Sequence, residues 1–179
     1  MASRREFFRS LVRPAAAAAE RKEDRCVVRP PYAVDESLFH SLCPQCESQA
    51  CARDCEEAII VIGADRTPIL NLRKGGCTFC EVCSDVCDAG VLDKFRAPER
   101  INARFVISTE GCMAHHGTIC FACKEPCLEN AILFNGLFNP VIDPDLCTGC
   151  GFCLGRCPTD AIRYDAVACA GAASENVGV

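Results

Sequence analysis

The chain has 179 residues, 18 of them cysteine, with 10 Phe, 2 Tyr, no Trp and a formal net charge of −5. The acidic balance argues against nucleic acid as a partner, and the lack of any apolar run near the ~20 residues that span a bilayer argues against an integral membrane segment. With few large core side chains, something besides apolar burial must help offset the backbone ordering entropy of roughly 1–2 kcal/mol per residue. Charge is unevenly placed. Residues 1–29 carry eight Arg/Lys against four Asp/Glu, and the remainder eleven against twenty. The first segment, 1–29, is therefore a basic N-terminal arm. Phe7, Phe8, Leu11 and Val12 fall on one helical face, Pro14 interrupts, and the alanines from Ala15 onward favour a second helical piece. Arg4-Arg5 with Phe7-Phe8 matches the start of a twin-arginine export signal. A signal also needs an uninterrupted apolar region of about 7–15 residues. Here Arg9 and Arg13 interrupt it, and the longest uncharged stretch, Pro14–Ala19, has six residues. The arm thus reads as a mimic without a membrane-inserting segment.

A first unit is expected over 30–95. It opens with the block Cys43, Cys46, Cys51, Cys55, spaced C-x2-C-x4-C-x3-C. An apolar β-branched run, Ala58–Ile62, a turn-like Gly63–Pro68 and a second apolar run, Ile69–Leu72, predict a hairpin. The block Cys77, Cys80, Cys83, Cys87 follows with C-x2-C-x2-C-x3-C spacing, ahead of Asp88. Residues 96–111 form a linker, broken at Ala97-Pro98, with Arg104–Ser108 reading as a further strand. A second unit over 112–165 begins with Cys112, Cys120, Cys123, Cys127, whose first gap is seven residues. Ala131–Phe134 and Leu137–Ile142 flank Asn135-Gly136, a hairpin signal because both residues tolerate positive φ. The last block, Cys147, Cys150, Cys153, Cys157 with Pro158, precedes a turn into a short strand at Thr159–Ile162. Residues 166–179 are a flexible tail.

C-x2-C-x2-C-x3-C-P is the bacterial [4Fe–4S] ferredoxin run. Two-residue gaps let three thiolates curl around one cuboidal cluster, and the fourth lies too far along to close it easily. In two-cluster ferredoxins that fourth thiolate serves the neighbouring cluster. An insertion can loop out without moving the thiolates, so all four blocks count as sites, for four [4Fe–4S] clusters and sixteen ligands. The crossover rule pairs Cys87 with Cys43, Cys46 and Cys51, and Cys55 with Cys77, Cys80 and Cys83. It likewise pairs Cys157 with Cys112, Cys120 and Cys123, and Cys127 with Cys147, Cys150 and Cys153. The alternative joins the first block to the fourth and the second to the third. Close C-x2-C pairs make poor disulfide frameworks. Zinc sites usually split two C-x2-C pairs by a dozen or more residues. Repetition of the spacing argues against plain buried cysteine. Cys26 and Cys169 lie outside the blocks and read as plain residues, His115 and His116 as an exposed loop, and His40 as without evident role.

The expected fold is α+β, small and ferredoxin-like: two tandem two-cluster units of short strands and helices with cysteine-rich loops. Cluster binding is then part of folding. No dinucleotide fingerprint, no nucleophile–base pair and no block short of a fourth cysteine is present, so an electron-transfer or assembly protein is expected rather than an enzyme.

Ser3-Arg4-Arg5, the lead-in Arg29-Pro30-Pro31-Tyr32 with Asp35-Glu36-Ser37-Leu38-Phe39, and four cysteine blocks with the long first gap in the third come in a telling order. The chain resembles NapF, the family of ferredoxin-type accessory proteins of periplasmic nitrate reductase systems. The Cys43 block departs from that family's regular spacing. The resemblance implies a cytoplasmic iron–sulfur protein. Its partner would be the precursor of the nitrate reductase catalytic subunit, matured before export by electron or cluster supply. A general electron-transfer ferredoxin subunit of a redox complex is the alternative.

Overall fold

The computed structural model describes residues 27–167. The arm's expected helices, its export-signal mimic, Cys26, Cys169 and most of the tail lie outside that range.

The lead-in to the first block is built into the protein. The amide of Leu70 donates to Val28 O across 2.8 Å, that of Asp93 to Tyr32 O across 2.8 Å, and that of Val34 to Val91 O across 3.1 Å. Arg29 was grouped with the basic arm, yet it is 5% exposed. Its guanidinium donates to the Glu36 carboxylate at 2.9 and 3.0 Å, to Thr67 Oγ1 at 2.7 Å and to Pro68 O at 2.9 Å. It also lies 4.5 Å from the centre of the Phe39 ring. Glu36 opens helix α1, Glu36–Leu42, capped by Asp35, whose carboxylate accepts from Ser37 N. His40, without evident role in the sequence, lies 3.3 Å from Glu36 one helical turn away.

Both halves then follow one order: entry segment, cysteine block, hairpin, cysteine block, exit segment. In the first half, α2 (Ala50–Arg53) lies within the first block, β1 (Ile60–Ile62) pairs antiparallel with β2 (Pro68–Leu70), and α3 (Val82–Asp85) lies within the second block. The entry and exit segments meet at an isolated bridge, Ala33 to Leu92. In the second half β3 (Ala103–Ile107) enters. β4 (Ile132–Asn135) and β5 (Phe138–Ile142) form the hairpin, α4 (Phe152–Arg156) sits in the last block, and β6 (Ile162–Ala166) exits. β3 and β6 pair antiparallel, Phe105 opposite Tyr164, with rings stacked at 5.5 Å. The strand expected near Arg104–Ser108 therefore belongs to a sheet of the second half. Among the described residues the result is mixed helix and strand, with three two-stranded sheets joined by loops.

The β4–β5 turn differs from the sequence expectation. Asn135 is the last residue of β4, opposite Phe138, so the two loop residues are Gly136 and Leu137. Gly136 has φ 63, which places the positive-φ residue first, as a type II′ turn requires. The His115-His116 pair is not a free loop either. Met113–His116 is a 3₁₀ turn in which His115 is half-buried, with Nε2 3.1 Å from Pro140 O, and His116 Nε2 lies 2.9 Å from Glu110 O.

One apolar core runs through both halves. It includes Phe39, Ile59, Leu72, Val91, Ile101, Ile132, Leu154 and Ile162, with cysteines of all four blocks in it or packed against it. Thiols and aliphatic side chains are neighbours, so what fills the thiol sets also borders the core.

Candidate metal centres

Three blocks place their central thiols in the same local way. A residue with left-handed backbone starts a one-turn helix that carries the third cysteine. Gln49 (φ 43) does so before α2, Glu81 (φ 64) before α3 and Gly151 (φ 86) before α4. Non-glycine residues there cost about 1–2 kcal/mol. At 151 a Cβ would also crowd the Leu72 side chain, at 3.1 Å.

The sixteen block cysteines gather into four sets. Cys43, Cys46 and Cys51 line one cavity with Cys87. Cys77, Cys80 and Cys83 line a second with Cys55. Cys112, Cys120 and Cys123 line a third with Cys157, and Cys147, Cys150 and Cys153 a fourth with Cys127. Each set takes three thiols from one block and one from another in the same half, which is the grouping the crossover rule gives. Among the described residues no three His, Cys, Asp or Glu side chains converge as they would around a single metal ion. Four thiols spread around a cavity suit a cuboidal cluster in which each thiolate takes its own iron. A tetrahedral zinc site would need Zn–S distances near 2.3 Å from all four. The donor set, four soft sulfurs in mostly apolar surroundings, fits [4Fe–4S], which supplies one-electron chemistry when bound.

Three of the four fourth cysteines accept a backbone amide. Leu92 N donates to Cys87 Sγ at 3.5 Å, Ala131 N to Cys127 Sγ at 3.3 Å and Ala161 N to Cys157 Sγ at 3.2 Å. Phe79 N donates to Cys77 Sγ at 3.4 Å. Such bonds help tune a cluster's potential.

Burial pushes the thiols of Cys43, Cys51, Cys77 and Cys123 up to about 11, and those of Cys83 and Cys153 up to about 12, with neighbouring cysteine charges adding to the rise. These thiols stay protonated near neutral pH without metal, so loading must release protons. Two thiols move the other way. The Ser48 hydroxyl and the Gln49 amide hold Cys46 below the ordinary thiol range. At Cys157 burial pushes upward but is outweighed by donors from Thr159, Ala161 and Ile162.

The two halves meet at the second and fourth sets. The amide of Cys77 donates to Cys150 O across 2.7 Å, and the Leu72 amide donates to Tyr164 Oη across 3.3 Å. Gly76 lies under the Phe152 ring. Sequence reasoning passed over Gly76, Phe152 and Tyr164 because the contacts that matter join residues far apart in the chain. Arg29 did carry a signal, an arginine seven residues before Glu36, but spacing alone does not reveal burial.

No helix among the described residues is long and apolar enough to cross a membrane. Residues 140–163, which include the last block, match the family of 4Fe-4S binding domains. The chain is 33% identical over 142 residues to ferredoxin-type protein NapF of Escherichia coli (strain K12), covering 77% of this chain and 84% of that protein. It is 30% identical over 170 residues to ferredoxin-type protein NapF of Haemophilus influenzae, covering 90% and 93%. It is also 30% identical over 165 residues to methylamine utilization ferredoxin-type protein MauM of Methylobacillus flagellatus, covering 81% and 67%.

Proposed function

The chain belongs to the NapF family of ferredoxin-type proteins, and from that premise we propose that it is an iron–sulfur accessory protein for the catalytic subunit of periplasmic nitrate reductase. It acts in the cytoplasm on the precursor, before export, by supplying electrons or clusters. Four [4Fe–4S] clusters do this work, each held by one of the thiol sets. The observation that carries the proposal is the placement of all sixteen block cysteines in four sets of four within a chain so similar to NapF. The basic arm, seven Arg/Lys against four Asp/Glu over residues 1–28 once the buried Arg29 is set aside, is a docking element for an acidic surface of the precursor.

A second possibility has its own support. The match to MauM, whose name places it in methylamine utilization, joins this chain to ferredoxin-type proteins of another system. A general electron-transfer subunit of a redox complex would share these features. Affinity capture separates the two. Full-length protein, purified without oxygen and incubated with cytoplasmic extract, should retain the nitrate reductase precursor transiently. Recovery of a stable complex with redox subunits and no precursor would favour the second possibility and overturn the first.

A further inference from the structure

The set of Cys43, Cys46, Cys51 and Cys87 borders about 1000 Å³ of empty space, part of it open to solvent, against about 400, 370 and 330 Å³ for the other three sets. Two residues account for the difference. Glu81 directly follows Cys80 and Gly151 directly follows Cys150, each turning left-handed to begin a helix. In the first block that left-handed residue is Gln49. Glu47 and Ser48 are therefore the extra pair, spliced between Cys46 and the turn. Both are exposed, and both border the cavity, as does Asp88 just after the second block. Ser48 Oγ sits 3.5 Å from Cys46 Sγ. Arg66, from the β1–β2 turn, donates to Pro44 O at 2.9 Å and Cys46 O at 3.4 Å. These bonds join the segment before the insertion to the hairpin turn.

We propose that the Glu47-Ser48 insertion makes this set the exchange site of the protein, the place where an iron ligand from another molecule, a chelator or a thiol, reaches a bound cluster. The other three sets leave such ligands far less room, although Cys80 of the second set is itself exposed. The proposal rests on reading the sets as [4Fe–4S] sites and adds which of them is open, and why. Exchange with a thiol breaks the iron–Cys46 bond and forms one iron–sulfur bond to the newcomer, whose proton passes to the departing Cys46 thiolate. No electron is gained or lost.

The test is iron release from full-length, anaerobically reconstituted protein to 2,2′-bipyridine under reducing conditions. This chelator is uncharged, so Glu47 and Asp88 do not repel it. About a quarter of the iron should leave in a fast phase and the rest in a distinctly slower one. Deleting Glu47 and Ser48, which gives the first block the C-x2-C-x2-C-x3-C spacing, should leave the iron content unchanged and abolish the fast phase. Should the deletion variant fail to fold, the double substitution Cys43→Ala/Cys51→Ala decides: it should load about three quarters of the iron and show only the slow phase. Single-phase release from the native protein, or a fast phase that survives in either variant, overturns the proposal. A native protein that carries no sulfide would instead overturn the cluster assignment beneath it.

Discussion

Cys77 and Cys150, seventy-three positions apart, are joined by a 2.7 Å hydrogen bond from the amide of the first to the carbonyl of the second. It ties the second cysteine block to the fourth, and so one half of the protein to the other, at the point where two thiol sets come together. Gly76 permits the approach. A Cβ there would fall 2.5 Å from Phe152 Cγ. Gly76→Ala should therefore force the ring aside and lower stability by about 1–3 kcal/mol, the usual cost of overpacking. Phe152→Ala removes the obstacle, so the Gly76→Ala/Phe152→Ala protein should be no less stable than Phe152→Ala alone. Denaturant midpoints of iron-loaded protein measure this, and additive losses would show that the ring and glycine do not interact.

Arg29 should behave as a structural residue. Its guanidinium holds Glu36, Thr67 and Pro68 together, and its side chain is 6% exposed. Arg29→Ala should destabilise the loaded protein on the order of 2–4 kcal/mol, because Thr67 and Pro68 lose a buried charged donor. Arg29→Lys should rescue little. A single ammonium cannot reach three partners in the fork geometry of a guanidinium. Denaturant midpoints of both variants, alongside binding of the precursor, separate this role from arm-mediated docking.

Removing the iron should unfold most of the body. Its helices run four to seven residues and its strands three to five, far short of the ~12–15 residues at which an isolated helix becomes even marginal. Thiols of all four blocks sit in or against the apolar core. Chelation to completion should abolish the far-ultraviolet circular dichroism of the body and expose it to protease, with recovery on reconstitution. Retention of the native spectrum without metal would show that the aliphatic core suffices.

What sequence made legible, and what it hid, follows from the range of each interaction. Cysteine spacing is local, so the four blocks and the break in the first block's regularity could be read directly. The hairpins could be placed by their apolar runs, but at Asn135-Gly136 the turn fell one residue later, because side-chain preference does not distinguish type I′ from II′ when the second turn residue is Leu137. Burial of Arg29 is a tertiary fact, decided by Thr67 and Pro68 on a hairpin some forty residues away. The same holds for His115, which looks exposed within its long gap until Pro140 of β5 is seen against it. Ser48 was visible only as part of an insertion. Its place at the mouth of a cavity depends on where Gln49 turns the chain.

The basic arm should carry part of the affinity for the precursor. Replacing Arg4, Arg5, Arg9 and Arg13 with Ala should weaken binding at low salt. Binding of the unaltered protein should itself weaken as salt rises, since the Debye length falls from about 10 Å at 0.1 M to about 3 Å at 1 M. Equal binding by the variant at low salt would leave the arm without a docking role. Fractionation of tagged protein should find it at full length in the cytoplasm.

Iron and acid-labile sulfide per chain, measured after anaerobic reconstitution, test the central claim most directly. Four thiol sets that each hold a [4Fe–4S] cluster predict about sixteen irons and as many sulfides. A plateau near eight would remove the two irregular blocks, those beginning at Cys43 and Cys112, from the count, and zinc bound without sulfide would contradict the iron–sulfur account altogether.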